Sequence, residues 1–249
     1  MSGIGIVNLN QGQKNFPKVV EQAPAVESGM YKAIFYRFVT LGFSEDAFNE
    51  GQLKFKTVYG FELVEDMMGN KVPNHWKKFD DGTQEEGAKC LYREYPVTDS
   101  LHHKSGGFSI AKALDPQVQT VRKGKNNEHE YIINFPWEQQ LGKSVLLQVQ
   151  KKKAKETGRE YNQIQSVMPL GMPLQGANEV VYFNLYDSTH KEIFDEKLFG
   201  WEKKRVKEST VVPGEPDVIY REEAPAEQAP QEEHKVDIPP VDFDDSIPF

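Results

Sequence analysis

The segment from Gly142 to Leu170 constrains the fold more than any other part of the chain, because its side chains alternate with a period of two over two successive runs. In the first run, the apolar positions are Val145, Leu147 and Val149, and the alternate positions are Leu146, Gln148, Gln150 and Lys152. The tetrapeptide "KETG" follows, and Gly158 can adopt the positive φ that a tight turn needs. In the returning run, Tyr161, Gln163 and Gln165 oppose Ile164. The pattern therefore predicts a β-hairpin with one buried face and one polar, basic face.

Other segments rich in β-branched and aromatic residues extend this strand pattern. The predicted strands are Gly29–Phe43, Leu53–Asp66, Ala88–Val97 and Val180–Asp187. A short helix is predicted from Gly107 to Pro116, where the proline stops it. These elements predict a mainly β fold, arranged as a small closed or partly open barrel with a few helices.

A second helix is predicted to close the fold between Lys191 and Ser209. The residues predicted on its buried side are Ile193, Phe194, Leu198, Trp201 and Val206.

Charge is divided unevenly along the 249 residues. From Glu215 onward there are eleven acids and two bases, a net charge of −9, which leaves the rest of the chain near +1. The acidic segment is rich in Pro, Glu, Ala and Gln and too poor in apolar residues to fold alone. We therefore expect three parts: a flexible segment at 1–28, a domain at 29–209, and a disordered acidic tail at 210–249.

Several classes of protein do not fit the sequence. It contains no apolar run of about 18 residues and no secretory signal pattern, so we expect a cytoplasmic location, including the cytoplasm of a host cell. It has no phosphate-binding loop, no Gly-x-Ser-x-Gly elbow and no distinct acid/base pair, so no catalytic residue is predicted. The single Cys90 reads as a packed small side chain, and the adjacent His102 and His103 lack a spaced partner. No metal and no cofactor are predicted.

The hairpin carries the main candidate binding residues. Its bases are Lys143, Lys151, Lys152, Lys153, Lys155 and Arg159, and its polar face adds Gln148, Gln150 and Tyr161. Clustered bases neutralise phosphates, and an exposed aromatic ring can stack on an unpaired base. This combination favours a single-stranded nucleic acid. The alternative at this point is a hairpin tip that is basic for solubility alone.

Two further aromatic and basic groups are candidates. One is Trp76 with Lys77 and Lys78, although Trp76 fits a core position as well. The other is Tyr36 with Arg37 in the first predicted strand, where the alternation allows only one of the two side chains to face a groove.

The last six residues, "DDSIPF", are similar to the C-terminal tip of bacterial single-stranded DNA-binding proteins, which reads Asp-Asp-Asp-Ile-Pro-Phe. The matching residues are Asp244, Asp245, Ile247, Pro248 and Phe249, and Ser246 departs from the pattern. The resemblance implies that these residues recruit replication, recombination and repair proteins.

The body resembles tailed-phage single-stranded DNA-binding proteins with an OB-like barrel. The resemblance rests on four stretches, "GMYKAIFYRFVTLG", "SLHHKSG", "LGKSVLLQVQKKKAKETGREYNQIQSVMPL" and "FDEKLFGWEKKRVKES". It implies an OB-like fold that coats single-stranded DNA without strong sequence preference, with no catalytic residue and no cofactor. The alternatives are an RNA-binding or RNA-chaperone barrel, and a phage adaptor that sequesters a host protein through its tail. Whether the chain forms a homo-oligomer is open.

Overall fold

The computed structural model of the chain describes residues 18–46, 49–96, 100–210, 212 and 220, with the backbone alone at 46, 49, 50 and 96. The predicted mainly β class is confirmed. The strands are β1 Val19–Gln22, β2 Gly29–Asp46, β3 Asn49–Asp66, β4 His75–Phe79, β5 Gln84–Gly87, β6 Cys90–Pro96, β7 Ser100–His102, β8 Val121–Lys123, β9 His129–Ile133, β10 Ser144–Lys153, β11 Glu160–Pro169 and β12 Val181–Phe183. The helices are α1 Gly106–Leu114 and α2 Gly200–Lys207, with 3₁₀ turns at Glu138–Gln140 and Ser188–His190 and a π-helical turn at Ile193–Lys197. No described helix has the length and apolar character needed to cross a bilayer.

The main sheet follows an OB-like path. Its strands are hydrogen-bonded in the order β11, β10, β2, β3, β6, each pair antiparallel, and β12 adds a parallel pairing to β2. The first three barrel strands are therefore β2, β3 and β6, and α1 separates them from the hairpin β10–β11, as in a partly open five-stranded OB barrel. No ladder between described residues joins the two end strands. Instead Arg93 bridges them, with its Nη1 2.6 Å from the Ile164 carbonyl oxygen.

The helix α1 packs against the interior of this barrel. The Ser105 hydroxyl accepts a hydrogen bond from the Phe108 N–H at 3.2 Å, which caps the first turn, and Pro116 follows the last. Ile110, Ala111 and Leu114 belong to the same buried cluster as Val145, Leu147, Val149 and Ile164. The predicted buried face of the hairpin is thus the wall of the core.

A second buried cluster lies on the outer side of β2 and β3, under β12 and α2. The single closing helix predicted from Lys191 to Ser209 is instead divided into the π-helical turn and α2. Phe194, Leu198 and Val206 are buried as predicted, but Trp201 is 46% exposed, so that prediction was wrong. Glu202 takes the buried position because it forms an ion pair with Arg37.

The boundaries of the folded part differ from those predicted at both ends. Residues 19–22, predicted to be flexible, form β1, which pairs with β4 in a small sheet that also contains β5. Tyr220, predicted to lie in the disordered tail, is buried and stacks on Phe194 with ring centroids 4.9 Å apart. Residues 1–17 and most of the acidic tail lie outside the described residues.

Candidate nucleic-acid interface

The hairpin β10–β11 has the two faces that its alternation predicts. Tyr161 lies opposite Lys152, Gln163 opposite Gln150, and Ser166 opposite Gln148, all on the outer face. Tyr161 is 46% exposed, whereas Ile164 on the inner face is buried. One exposed ring with amide and ammonium neighbours is an arrangement that can stack a base and hydrogen-bond its edge.

The basic residues of the hairpin differ in whether an acidic side chain compensates their charge. Within the described part of the chain, Lys152, Lys153, Lys155 and Arg159 form no salt bridge. Lys151 is different, because its Nζ lies 2.9 Å from Glu27 Oε1 and 3.0 Å from Glu160 Oε2. These two carboxylates, Glu27 first, raise the pKa of Lys151. Its charge is therefore already compensated, and it faces the side of the hairpin opposite Lys152.

Lys143 was predicted to join the bases at the tip, and the structure corrects this. It directly precedes β10, so the ten residues of that strand, roughly 33 Å at 3.3 Å per residue, separate it from the turn. Its Nζ donates to the Leu114 carbonyl oxygen at 3.2 Å, at the end of α1. Lys143 therefore stabilises the opposite end of the barrel.

A groove of about 780 Å³ opens on the outer side of β6 and supplies candidate binding residues that the sequence analysis did not propose. Tyr92, Phe199 and Trp201 line it with exposed rings. The Tyr92 and Phe199 rings meet edge to face, with centroids 5.6 Å apart. Arg93 ties β6 to β11, whose outer face carries Gln163 and Gln165, and Tyr92 lies on the outer side of β6. The strand that carries Tyr92 is therefore the neighbour of the hairpin strand β11.

His75 shows that the hairpin tip also approaches the groove. Its pKa falls to about 4, first because burial disfavours the charged ring and then because Lys89, Lys77 and Arg159 lie close by. Arg159 belongs to the turn of the hairpin, whereas His75 and Lys77 line the groove. The Nδ1 atom of His75 is buried and makes no hydrogen bond within the described chain.

Of Tyr36 and Arg37, only one side chain was predicted to face a groove, and neither is exposed. Arg37 is 2% exposed and donates through Nε to Glu202 Oε1 at 3.0 Å and through Nη2 to the Lys197 carbonyl oxygen at 2.9 Å. Tyr36 is 5% exposed, and its hydroxyl lies 2.5 Å from that of Tyr92. Arg37 is therefore part of the interior, and Tyr36 supports Tyr92 at the floor of the groove.

Trp76, Lys77 and Lys78 are separated by the alternation of β4. Lys77 lines the groove, but Trp76 is half-buried and lines a different cavity of about 480 Å³. Lys78 lies over the Trp76 ring, 5.2 Å from its centroid, and forms a salt bridge with Glu21 at 2.7 Å. Of the three, only Lys77 lines the groove.

Acids temper the charge of the groove. Glu85, Glu86 and Glu179 line it beside Lys77 and Lys197, and Lys197 is paired with Glu179 at 2.6 Å. The groove is consequently aromatic and nearly neutral, whereas the hairpin tip is basic. Sequence reasoning missed the groove because Tyr92 and Trp201 are 109 positions apart and share no local period.

The sequence analysis also missed a cluster of three histidines. His102 and His103, which were predicted to lack a partner, are joined by His129 across β7 and β9. One ring nitrogen from each lies within 4.8 Å of the other two.

The proposed recruiting residues Asp244, Asp245, Ile247, Pro248 and Phe249 lie outside the described residues. Compared with protein-family models and with curated proteins, the sequence shows no significant match.

Proposed function

We propose that this protein binds single-stranded DNA, without strong sequence preference, along the surface formed by the hairpin face and the aromatic groove. The observation that carries the proposal is that adjacent strands of an OB-like fold carry basic residues without an acidic partner, on the hairpin, and exposed rings, in the groove beside β6. OB folds bind oligonucleotides at the face of their second and third strands and at the loop between the fourth and fifth. In this chain those parts are β3, β6 and the basic turn of the hairpin.

The two halves of the surface suit different parts of the ligand. The uncompensated Lys152, Lys155 and Arg159 attract phosphates and release counterions. Tyr161 on the hairpin, and Tyr92 and Trp201 in the groove, offer ring faces on which unpaired bases stack. A duplex keeps its bases stacked inside, so it can use the charges but not the rings. Single strands are favoured for this reason.

The acidic tail supports a role in recruitment. On the resemblance of "DDSIPF" to the bacterial tip, we propose that Phe249 and Ile247 bury apolar area on DNA-processing proteins while Asp244 and Asp245 pair with basic side chains there. Coating of DNA during phage replication, recombination or repair would combine both activities, with the protein in the host cytoplasm. Deletion of Phe249 should then abolish capture of these partners and leave DNA affinity nearly unchanged.

Competition binding tests the proposal. Full-length protein is titrated with labelled oligo-dT at two salt concentrations, with duplex DNA and oligo-rU as competitors. If three to five phosphates are contacted, log K should fall against log salt with a slope of roughly −2 to −3.5. Equal affinity for duplex and single strand, or a flat salt response, would contradict the proposal. Preferential binding of oligo-rU would favour the RNA-binding alternative.

A further inference from the structure

Three histidines meet where β7 ends beside the start of β9. His102 closes β7, His103 follows it, and His129 opens β9. His102 Nε2 and His129 Nδ1 lie 3.2 Å apart, and one nitrogen of each ring is within 4.8 Å of the other two. The rings are half-buried, and Tyr131 packs edge-on against His102 with centroids 5.1 Å apart.

We propose that His102, His103 and His129 bind one divalent first-row transition metal ion, with Zn²⁺ as the reference ion. Imidazole is a preferred ligand of zinc, copper, nickel and cobalt, whereas Mg²⁺ and Ca²⁺ prefer oxygen ligands. Zinc–nitrogen bonds of 2.0–2.1 Å at tetrahedral angles require ligand nitrogens about 3.3 Å apart. The separation of 3.2 Å between His102 and His129 already meets this requirement, and one nitrogen of His103 lies within 4.8 Å of both.

The backbone holds the three rings in place. The His103 N–H donates to the Glu130 carbonyl oxygen at 2.8 Å, and the Ser105 N–H donates to the His102 carbonyl oxygen at 2.7 Å. These bonds fix the corner between β7 and α1 against β9. A metal ion at the histidines would join residues 102 and 129, which lie in different strands, and so stabilise this corner further.

The hydrogen bonds of His129 suit a metal ligand. Because His102 Nδ1 accepts the Lys104 N–H, the proton of His102 is on Nε2, and the Nδ1 lone pair of His129 is the acceptor directed at the cluster. Its Nε2 lies 3.4 Å from Glu128 Oε1. A carboxylate on the far nitrogen orients a metal-bound imidazole and raises its basicity, as in carboxylate–histidine–zinc arrangements.

When the metal binds, the ring proton of His102 and that of His103 each move from one nitrogen to the other within the same ring. His102 Nδ1 accepts the Lys104 N–H at 3.1 Å and His103 Nδ1 accepts the Glu130 N–H at 3.2 Å, which leaves the ring proton on Nε2. Coordination through Nε2 moves that proton to Nδ1 through solvent, so each ring stays neutral and two backbone N–H groups lose their acceptors.

Metal titration of the untagged, full-length chain tests the proposal. After treatment with a chelator, the protein is titrated with Zn²⁺ by calorimetry and with Co²⁺ by visible absorption, and Mg²⁺ serves as the negative ion. The expected result is one bound ion per chain, the absorption of a Co²⁺–imidazole complex, and affinity that falls as the pH is lowered, because protons compete with the metal for the ring nitrogens. In amide NMR spectra, the Lys104 and Glu130 signals should shift on Zn²⁺ addition.

His129→Gln and His102→Gln should each weaken Zn²⁺ binding about tenfold or more. His234→Gln removes a histidine outside the cluster, and its affinity should equal that of the unchanged chain. Circular dichroism establishes that each variant is folded. Absence of one-to-one binding, affinity unchanged by His129→Gln and His102→Gln, or an equal loss in His234→Gln would overturn the proposal.

Discussion

Two pairs of a tyrosine and a basic residue on neighbouring strands differ in their exposure to solvent. Tyr161 and Lys152 face each other across the hairpin and are accessible, whereas Tyr36 and Arg37 are adjacent in β2 and buried. The difference lies in what covers each strand. The outer face of the hairpin is open, but α2 covers β2 and supplies Glu202 as the partner of Arg37. An aromatic residue beside a basic residue is therefore a candidate for nucleic-acid contact only where the pair is exposed and no acid compensates the basic side chain.

The largest effect in this comparison is expected from Arg37→Ala. It leaves the Glu202 carboxylate buried without its partner and should lower the free energy of unfolding by about 3–5 kcal/mol. Arg205→Ala is the matched control, because Arg205 is 38% exposed and pairs with Glu94 at 3.0 Å, so its loss should cost about 0–1 kcal/mol. Urea denaturation measures both. Equal stability of the two variants would show that the buried pair does not hold α2 on the sheet.

Tyr161→Ala is the corresponding change in the exposed pair of Tyr161 and Lys152. It should weaken oligo-dT binding by about 1–3 kcal/mol, the range for one stacked base, and change the free energy of unfolding by less than about 0.5 kcal/mol. Tyr161→Phe keeps the ring and should bind normally. Fluorescence anisotropy gives the affinities. An unfolded Tyr161→Ala protein beside a functional Tyr161→Phe protein would place this ring in the core and reverse the comparison.

Lys151 and Lys152 allow a compensated and an uncompensated charge to be compared within one strand. Lys152→Gln removes a free charge and should reduce the magnitude of the salt slope by about 0.7, the value for one phosphate on a single strand. Lys151→Gln should change the slope less, because Glu27 and Glu160 already compensate that charge. Titrations with oligo-dT over a salt series measure both slopes. Equal changes for the two lysines would contradict the assignment of a free and a compensated base.

The smallest effect concerns the approach of the hairpin tip to the groove. In Arg159→Gln, removal of a nearby positive charge should raise the pKa of His75 above about 4, while burial keeps it below its usual value. Proton NMR of the ring gives the pKa. Since the folded state lowers this pKa, the contribution of His75 to stability is present above about pH 6.5 and is lost as the pH falls toward 4. His75→Gln should remove that part of the pH dependence. If the pKa of His75 is unchanged in Arg159→Gln, the hairpin tip does not lie close to the groove.

Much of the fold could be predicted from local periodicity. The hairpin faces and α1 follow from alternation and capping, which act between near neighbours in sequence. Trp201 could not be placed this way, because the helix position it would occupy in the core belongs to Glu202, whose partner lies 165 positions away. The groove and the histidine cluster are likewise assembled from distant segments. The candidate site was therefore predictable at the hairpin and unpredictable where tertiary contacts create it.

Photo-cross-linking tests the central claim most directly. A single-stranded oligonucleotide containing bromodeoxyuridine is bound to the full-length protein and irradiated, and the linked residues are identified by mass spectrometry. The account predicts links at Tyr161 on the hairpin and at Tyr92 or Trp201 in the groove, all suppressed by excess oligo-dT. Links concentrated instead at Trp76, which lines the separate cavity on the other side of β4, would contradict it.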